Sequence, residues 1–196
     1  MSGKSCLTNL LEFFEGVTKK VDEGSAVDVV YMDFSKAFDK VPHGRLLHKV
    51  KSHGIQGEVS KWIQNWLLDR SQRVVVESCF SNWRPVTSCV PQGSVLGPLL
   101  FVIYINDLDE NIGGMVSKFA DDTKIGGIVD NEEGYLGLQR DLDQLGQWAD
   151  ECQMEFNLDK CEVMHFGRLN QGRTYSVNGR VLGRVTEQRD LGVQVH

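Results

Sequence analysis

The sequence predicts an α+β fold, and three observations carry that prediction. Apolar residues at three- and four-residue spacing open the chain, a short β-branched run ends on an aspartate, and two extended runs flank a pair of adjacent aspartates. Helical and extended segments follow one another without the strict alternation of a doubly wound sheet. With 196 residues, 41% of them hydrophobic, the chain can bury one sizeable core, and two complete domains would be crowded.

Leu7, Leu10, Leu11, Phe14, Val17 and Val21 form one stripe between Ser5 and Asp22, and Gly24 follows as a stop, so this segment is an amphipathic helix. Val27 to Asp33 is rich in β-branched and aromatic residues and reads as a buried strand with Asp33 at its C-terminal end. Helical patterns then run from Arg45 to Ser52 and from Glu58 to Asp69. Arg73 to Glu77 and Arg84 to Val90 are expected to be extended, joined by a turn at Ser81-Asn82. From Ser94, placed to cap, an apolar helix begins, with Pro98 in its first turns. Met115 to Ala120 and Thr123 to Ile128 form a hairpin with Asp121 and Asp122 in the turn. A long helix from Glu132 to Cys152 carries Leu138, Leu142, Leu145 and Trp148 on one stripe, and short strands follow near Glu162 to Phe166, Thr174 to Val177 and Leu191 to Val195.

Composition narrows the function classes. No apolar run approaches the roughly 18 residues of a membrane span, and Met1 to Asn9 lacks the apolar centre of a secretory signal, so an intracellular, non-secreted protein without membrane partners is expected. Five cysteines without a C-x-x-C pair argue against a disulfide framework or zinc site and for reduced, mostly buried thiols. His43, His48 and His53 recur every five residues, which rotates them around a helix and disfavours a shared metal. A net charge of -6 is the wrong sign for a free-standing nucleic-acid binder, so such a function needs basic help from elsewhere.

The carboxylates hold the chemistry. Two hard cations about 3.5–4 Å apart need several shared oxygen ligands. An acid ending a strand, Asp33, facing a pair on a neighbouring hairpin, Asp121 and Asp122, would supply them from rigid elements. Taken alone, adjacent aspartates in a turn are common.

The surrounding text changes the reading. Val29-Val30-Tyr31-Met32-Asp33-Phe34-Ser35-Lys36-Ala37-Phe38-Asp39, then Val90-Pro91-Gln92-Gly93-Ser94-Val95-Leu96-Gly97-Pro98-Leu99, then Phe119-Ala120-Asp121-Asp122 occur in that order. They resemble the palm motifs of reverse transcriptases, and with Ile105-Asn106-Asp107-Leu108 they look like the non-LTR retrotransposon branch. That resemblance implies a polymerase palm: an antiparallel sheet with helices packed on one face, and nucleotidyl transfer with two magnesium ions, manganese being a possible substitute. It places Asp33, Asp121 and Asp122 as metal ligands and catalytic residues, with the Phe34 carbonyl completing a metal shell. Phe38 matches the position that excludes a ribose 2′-hydroxyl, although on its own it reads equally as a core phenylalanine. Gln92 and Gly93 match the loop that touches nucleotide and template. Lys160, in Asn157-Leu158-Asp159-Lys160-Cys161, is similar to a lysine that protonates the leaving pyrophosphate. Arg189-Asp190-Leu191-Gly192-Val193 resembles the primer grip. The implied partners are an RNA template, a DNA primer and deoxynucleoside triphosphates, and the implied location is the nucleus.

Departures accompany the matches. Cys89 stands where family members more often carry glycine, and Met32 where leucine is usual. Gly3-Lys4-Ser5-Cys6 looks like the tail of the fingers motif, and no upstream glycine or strand supports reading it as a phosphate-binding loop. Residues 1–196 are thus expected to be a partial reverse transcriptase domain, from the end of the fingers through the primer grip, with fingers incomplete and thumb absent. The missing regions, endonuclease included, would come from a longer product. Two rivals remain open: a non-catalytic relic or binding module of the same family, favoured by the acidic balance, and a magnesium-dependent hydrolase or nuclease, which leaves Gln92, Gly93 and Phe38 unexplained.

Overall fold

A computed structural model describes residues 5–196, and it begins with a capping box. The Ser5 hydroxyl accepts from the Thr8 N–H at 3.2 Å, and the Ser5 N–H donates to Thr8 Oγ1 at 2.7 Å. Gly3 and Lys4, which carry the expected fingers-like tail, lie outside the described residues. The helices are α1 (Cys6–Asp22), α2 (Ala37–Lys40), α3 (His43–Ser52), α4 (Gly57–Leu67), α5 (Leu96–Tyr104) and α6 (Glu132–Glu151). The strands of the first half are β1 (Val27–Met32), β2 (Ser71–Gln72), β3 (Val75–Val76), β4 (Cys79–Phe80) and β5 (Arg84–Pro85). Those of the second half are β6 (Met115–Phe119), β7 (Asp122–Ile128), β8 (Glu162–Phe166), β9 (Ser176–Val177), β10 (Arg180–Val181), β11 (Gly183–Val185), β12 (Gln188–Asp190) and β13 (Val193–Val195). Two units divide the chain: residues 5–35, Leu108–Glu151 and Glu155–His196 form the first, and Lys36–Asp107 with Cys152–Met154 the second.

In the first unit β1 is the middle strand of a five-stranded sheet of order β11-β8-β1-β7-β6. All six of its residues are buried, as its unbroken apolar run requires. Adjacent residues of a strand face opposite ways, and β7 shows what lies on each side. A side chain at Gly126 would meet Phe13 of α1 at 3.3 Å, whereas one at Gly127 would meet Leu138 of α6 at 3.3 Å. The two helices therefore cover opposite faces, which corrects the expected single helical face. The sheet is also mixed, because β11 pairs in parallel with β8. Phe13, Val17, Val27, Val29, Tyr31 and Met164 form the core under α1. On the other side, fully buried Asp28 is held by His165 Nδ1 at 2.6 Å, the Tyr175 hydroxyl at 2.6 Å and Asn170 Nδ2 at 2.7 Å, the partners a buried carboxylate needs.

The second unit combines α2 to α5 with a hairpin in which β2 pairs with β5 and β3 with β4. Its turn is Glu77-Ser78, with φ of 46° and 70°, and not the expected Ser81-Asn82. Two successive left-handed residues make the turn whose twist matches the flanking strands. Ser81 instead holds the middle of the hairpin, its Oγ accepting from the Val74 N–H at 2.9 Å. The expectation of mostly buried thiols also needs correction: Cys152 and Cys161 are buried, Cys89 is intermediate, and Cys6 and Cys79 are exposed. Among the described residues, no helix is long and apolar enough to cross a membrane.

Cys89 adopts φ 100°, where only glycine is comfortable, and its backbone is clamped there: the N–H donates to Val41 O and the carbonyl accepts from His43 Nε2, each at 2.9 Å. Cys89→Gly is expected to stabilise the protein by roughly 1 kcal/mol in denaturant unfolding, with Cys89→Ala giving no such gain. Equal effects of the two substitutions would show that strain at this position is not what the thiol residue costs.

Candidate active site

The last paired residues of β1 and β7 are Met32 and Thr123, so the next step of the register sets Asp33 opposite Asp122. Antiparallel partners share a face with Cα atoms about 4.5–5.5 Å apart. Asp122 is the first residue of β7, and the turn proper is Ala120-Asp121, so only one of the two acids lies in the turn. Ala120 takes φ 54° to make this two-residue connection. The electrostatics record the convergence. Burial raises the Asp122 carboxyl above the usual carboxylate range, and the charges of Asp121, Asp190 and Asp33 raise it further against a smaller lowering by Lys124.

Asp33 is held from behind by the segment before β8. Its carbonyl accepts from the Asn157 N–H at 2.8 Å, and its N–H lies 3.5 Å from Cys161 Sγ, whose thiol burial pushes up to about 11, so that it stays protonated. The Asn157 carbonyl accepts from the Lys160 N–H at 2.9 Å, and the Lys160 ammonium reaches 3.5 Å from Asp33 Oδ2 while remaining largely exposed. Lys160 is thus brought to the acids. Phe34 bridges Phe156 and stacks on its ring at 4.5 Å. The flanking residues carry the hydrogen bonds of that bridge, Ser35 N–H to Glu155 O and Asn157 N–H to Asp33 O, so bridging directs the Phe34 carbonyl away from Phe156.

Asp33, Asp122 and Lys160 border a cleft of about 340 Å³ that is also lined by Tyr31, Lys124, Arg189 and Asp190, whereas Asp121 is not part of its lining. Sequence reasoning missed its main support, the Lys124–Asp190 ion pair, with Nζ and Oδ2 2.6 Å apart and both side chains 5% exposed. The pair ties the β12–β13 hairpin to the strand that carries Asp122. The available signals were that Lys124 follows the paired acids by two residues and that Asp190 lies in the primer-grip-like motif. The Tyr31 hydroxyl, buried in the same place, has no hydrogen-bond partner among the described residues. Burial and then the Asp190 charge strongly raise its pKa, so it stays a neutral donor that a water or ligand atom could satisfy.

Phe38, Gln92 and Gly93 belong to the second unit. Phe38 is half-buried and stacks on Phe101 at 4.7 Å, while Gln92 is exposed, its Nε2 3.4 Å from Asp39 Oδ1. Gly93 has φ 79° with open space where a side chain would be, so its backbone is accessible. The loop is braced by Ser94, whose Oγ donates to Pro91 O at 2.7 Å and accepts from the Gly97 N–H at 2.9 Å. Gly97 is required, since a Cβ there would lie 2.6 Å from Pro91 O.

Carboxylate oxygens are the ligands magnesium prefers, and three acids at the ends of adjoining strands repel one another in the way a cation would relieve. Among the described residues, no three acids, histidines or cysteines already stand close enough to hold an ion, so the donor set fits by chemistry and convergence and is not a closed cage.

A family model described as reverse transcriptase (RNA-dependent DNA polymerase) matches residues 1–195. The chain belongs to the reverse transcriptase family. Similar proteins include the RNA-directed DNA polymerase from mobile element jockey of Drosophila funebris, 31% identical over 91% of this chain and 20% of that protein. The jockey polymerase of Drosophila melanogaster is 29% identical over 83% of this chain and 19% of its own length. The Pol polyprotein from type-1 retrotransposable element R2 of Popillia japonica is 26% identical over 95% and 34%. This reverse transcriptase sequence therefore groups with non-LTR retrotransposons, and it spans about a fifth of the jockey relatives. Among solved structures, apo telomerase from Candida tropicalis, truncated of its C-terminal domain, shares the fold with a TM-score of 0.59 at 11% identity, over 93% of this chain and 38% of that one.

Because ionised Asp122 sits among like charges, it weakens the fold as pH rises through its raised pKa. In metal-free buffer Asp122→Asn is expected to raise the melting temperature at pH 7, and the gain is expected to shrink as pH falls through the raised pKa and to vanish below about pH 3, where the wild-type carboxyl is protonated in both folded and unfolded chains. A variant that melts below wild type at pH 7 would remove the electrostatic account of the acids.

Proposed function

We propose that this chain carries the palm of an RNA-directed DNA polymerase, extending a DNA primer on an RNA template. The observation that supports this reading is the meeting of Asp33 with Asp121 and Asp122 at the ends of neighbouring strands, in a chain of the reverse transcriptase family. Asp33, Asp121 and Asp122 would hold two magnesium ions, with manganese as a possible substitute, and the Phe34 carbonyl would complete the ligand set. Bound there, the ions would supply Lewis-acid chemistry for a primer 3′-hydroxyl and a nucleotide triphosphate. Lys160, whose exposed ammonium lies 3.5 Å from Asp33 Oδ2, would move its Nζ proton to the departing pyrophosphate. The Lys124–Asp190 pair holds the primer-grip-like hairpin to the acid-bearing strand. For Phe38, as the residue that excludes a ribose 2′-hydroxyl, and for Gln92 and Gly93, as nucleotide and template contacts, the support is the motif in which each stands.

Coverage of a fifth to a third of the jockey and R2 proteins supports reading the chain as one part of a longer polymerase, with further fingers, thumb and endonuclease regions supplied there. Resemblance to such elements supports action in the nucleus. One alternative keeps the family and drops the chemistry: a non-catalytic module that binds nucleic acid. It is favoured by the net charge of -6 and by the lack of a closed ligand cage among the described residues.

The test is primer extension on an RNA template with magnesium and deoxynucleotides, comparing the chain with an Asp121→Asn, Asp122→Asn double variant. Extension that falls to background in the variant is the expected result. RNA binding with no extension in either protein would favour the non-catalytic module, and degradation of nucleic acid without added nucleotides would favour a nuclease.

A further inference from the structure

The β12–β13 hairpin forms a two-stranded sheet of its own, outside the five-stranded sheet. Among the described residues one hydrogen bond joins it to that sheet, from Lys124 Nζ to Asp190 Oδ2 at 2.6 Å, and Val195 adds an apolar contact with the core under α1. Lys124 is the fixed end of this tether, its ammonium lying 5.1 and 5.3 Å from the ring centres of Phe13 and Phe14. The other oxygen of Asp190 accepts no hydrogen bond among the described residues. Tyr31 pairs across the strands with Lys124, so both side chains lie on the α1 face and border the same cleft as Asp190. Tyr31 is 8% exposed, its hydroxyl is buried without a partner among the described residues, and the Asp190 charge reaches it. A buried hydroxyl with no bond is costly, and phenylalanine would fill the same ring space without that cost. A donor and a spare acceptor oxygen thus sit at one lysine.

We infer that Tyr31 is a positioning residue, whose hydroxyl takes the second oxygen of Asp190 and seats the β12–β13 hairpin when a primer end enters the cleft. The inference rests on the polymerase reading, in which this hairpin grips the primer. A hairpin tethered by one ion pair can pivot about Lys124 without losing it, and a second bond to a neighbouring strand removes that freedom. The two anchors then stand on β1 and β7, the strands that carry Asp33 to its place and Asp122. In the free chain the second bond is unmade and the hairpin can admit a primer. Closure satisfies the idle hydroxyl, so part of the affinity for primer resides in that bond. Two other partners would also satisfy the hydroxyl: an ordered water in the free chain, and an atom of the primer itself. Neither couples Tyr31 to the seating of the hairpin.

Hydrogen exchange of the full chain, read by mass spectrometry with and without a DNA primer on an RNA template and without nucleotides, tests this in wild type and Tyr31→Phe. In wild type, saturating primer–template is expected to slow exchange across β12 and β13 about tenfold, and in Tyr31→Phe most of that slowing is expected to be lost. Affinity for primer–template, measured by fluorescence anisotropy, is expected to fall about tenfold in the variant, the effect of one hydrogen bond. Without nucleic acid, Tyr31→Phe is expected to melt at or above wild type, since it removes a buried polar atom and breaks no bond. A variant that melts lower would show the hydroxyl already satisfied by water, and would overturn the proposal. So would weaker binding with the wild-type slowing of exchange at saturation, which marks direct contact with the primer. Equal exchange and affinity in the two proteins would overturn the positioning role and leave the polymerase reading standing, whereas a chain that binds no primer–template sinks both.

Discussion

Burial of β1 on both faces is the constraint on which the first unit depends. A strand flanked by β7 and β8 and covered by α1 and α6 has no exposed side on which register could slip. Moving it by one residue would place Asp28 against Phe13 and Val17, and would take it away from His165, Asn170 and Tyr175. The register that satisfies Asp28 is also the one that delivers Asp33 to the position opposite Asp122. A structural carboxylate within the strand thus fixes the place of a second carboxylate, Asp33, at its end.

That placement gathers acids that repel one another, and the surrounding structure holds them there. The Asn157–Cys161 segment pins the Asp33 backbone, and the Lys124–Asp190 pair anchors the strand that carries Asp122 to the β12–β13 hairpin. Burying such a pair is costly, and what it returns here is position: two segments 66 residues apart in the chain are locked beside one cleft. Residual repulsion on Asp122 is what a site awaiting cations would retain.

Much of this was legible in the sequence where one pattern dominated. The stripe from Leu7 to Val21, the run from Val27 to Asp33 and the stripe from Leu138 to Trp148 each state an element and, for Asp33, its end. Periodicity cannot say which face of a sheet a helix covers, so the split of α1 and α6 across it needed the neighbours of Gly126 and Gly127. At the β2–β5 hairpin, Ser81-Asn82 has turn chemistry, but cross-strand pairing of Val75 with Phe80 and Val76 with Cys79 moved the turn to Glu77-Ser78. The unusual residue at Cys89 was visible against the family pattern, and its φ gives the physical reason glycine is favoured there. The pairing of Lys124 with Asp190 escaped notice because each looks like a solvated charge until long-range packing buries both.

Asp33 and the paired acids of β7 and its turn are proposed to form one cation site. Calorimetric titration of magnesium into the chain and into Asp33→Asn, without nucleic acid or nucleotides, measures this most directly. Saturable binding that is lost or weakened at least about tenfold in Asp33→Asn is the predicted result, since a ligand on one strand must then matter to the whole site. Equal binding by both proteins, or none by either, would contradict the account.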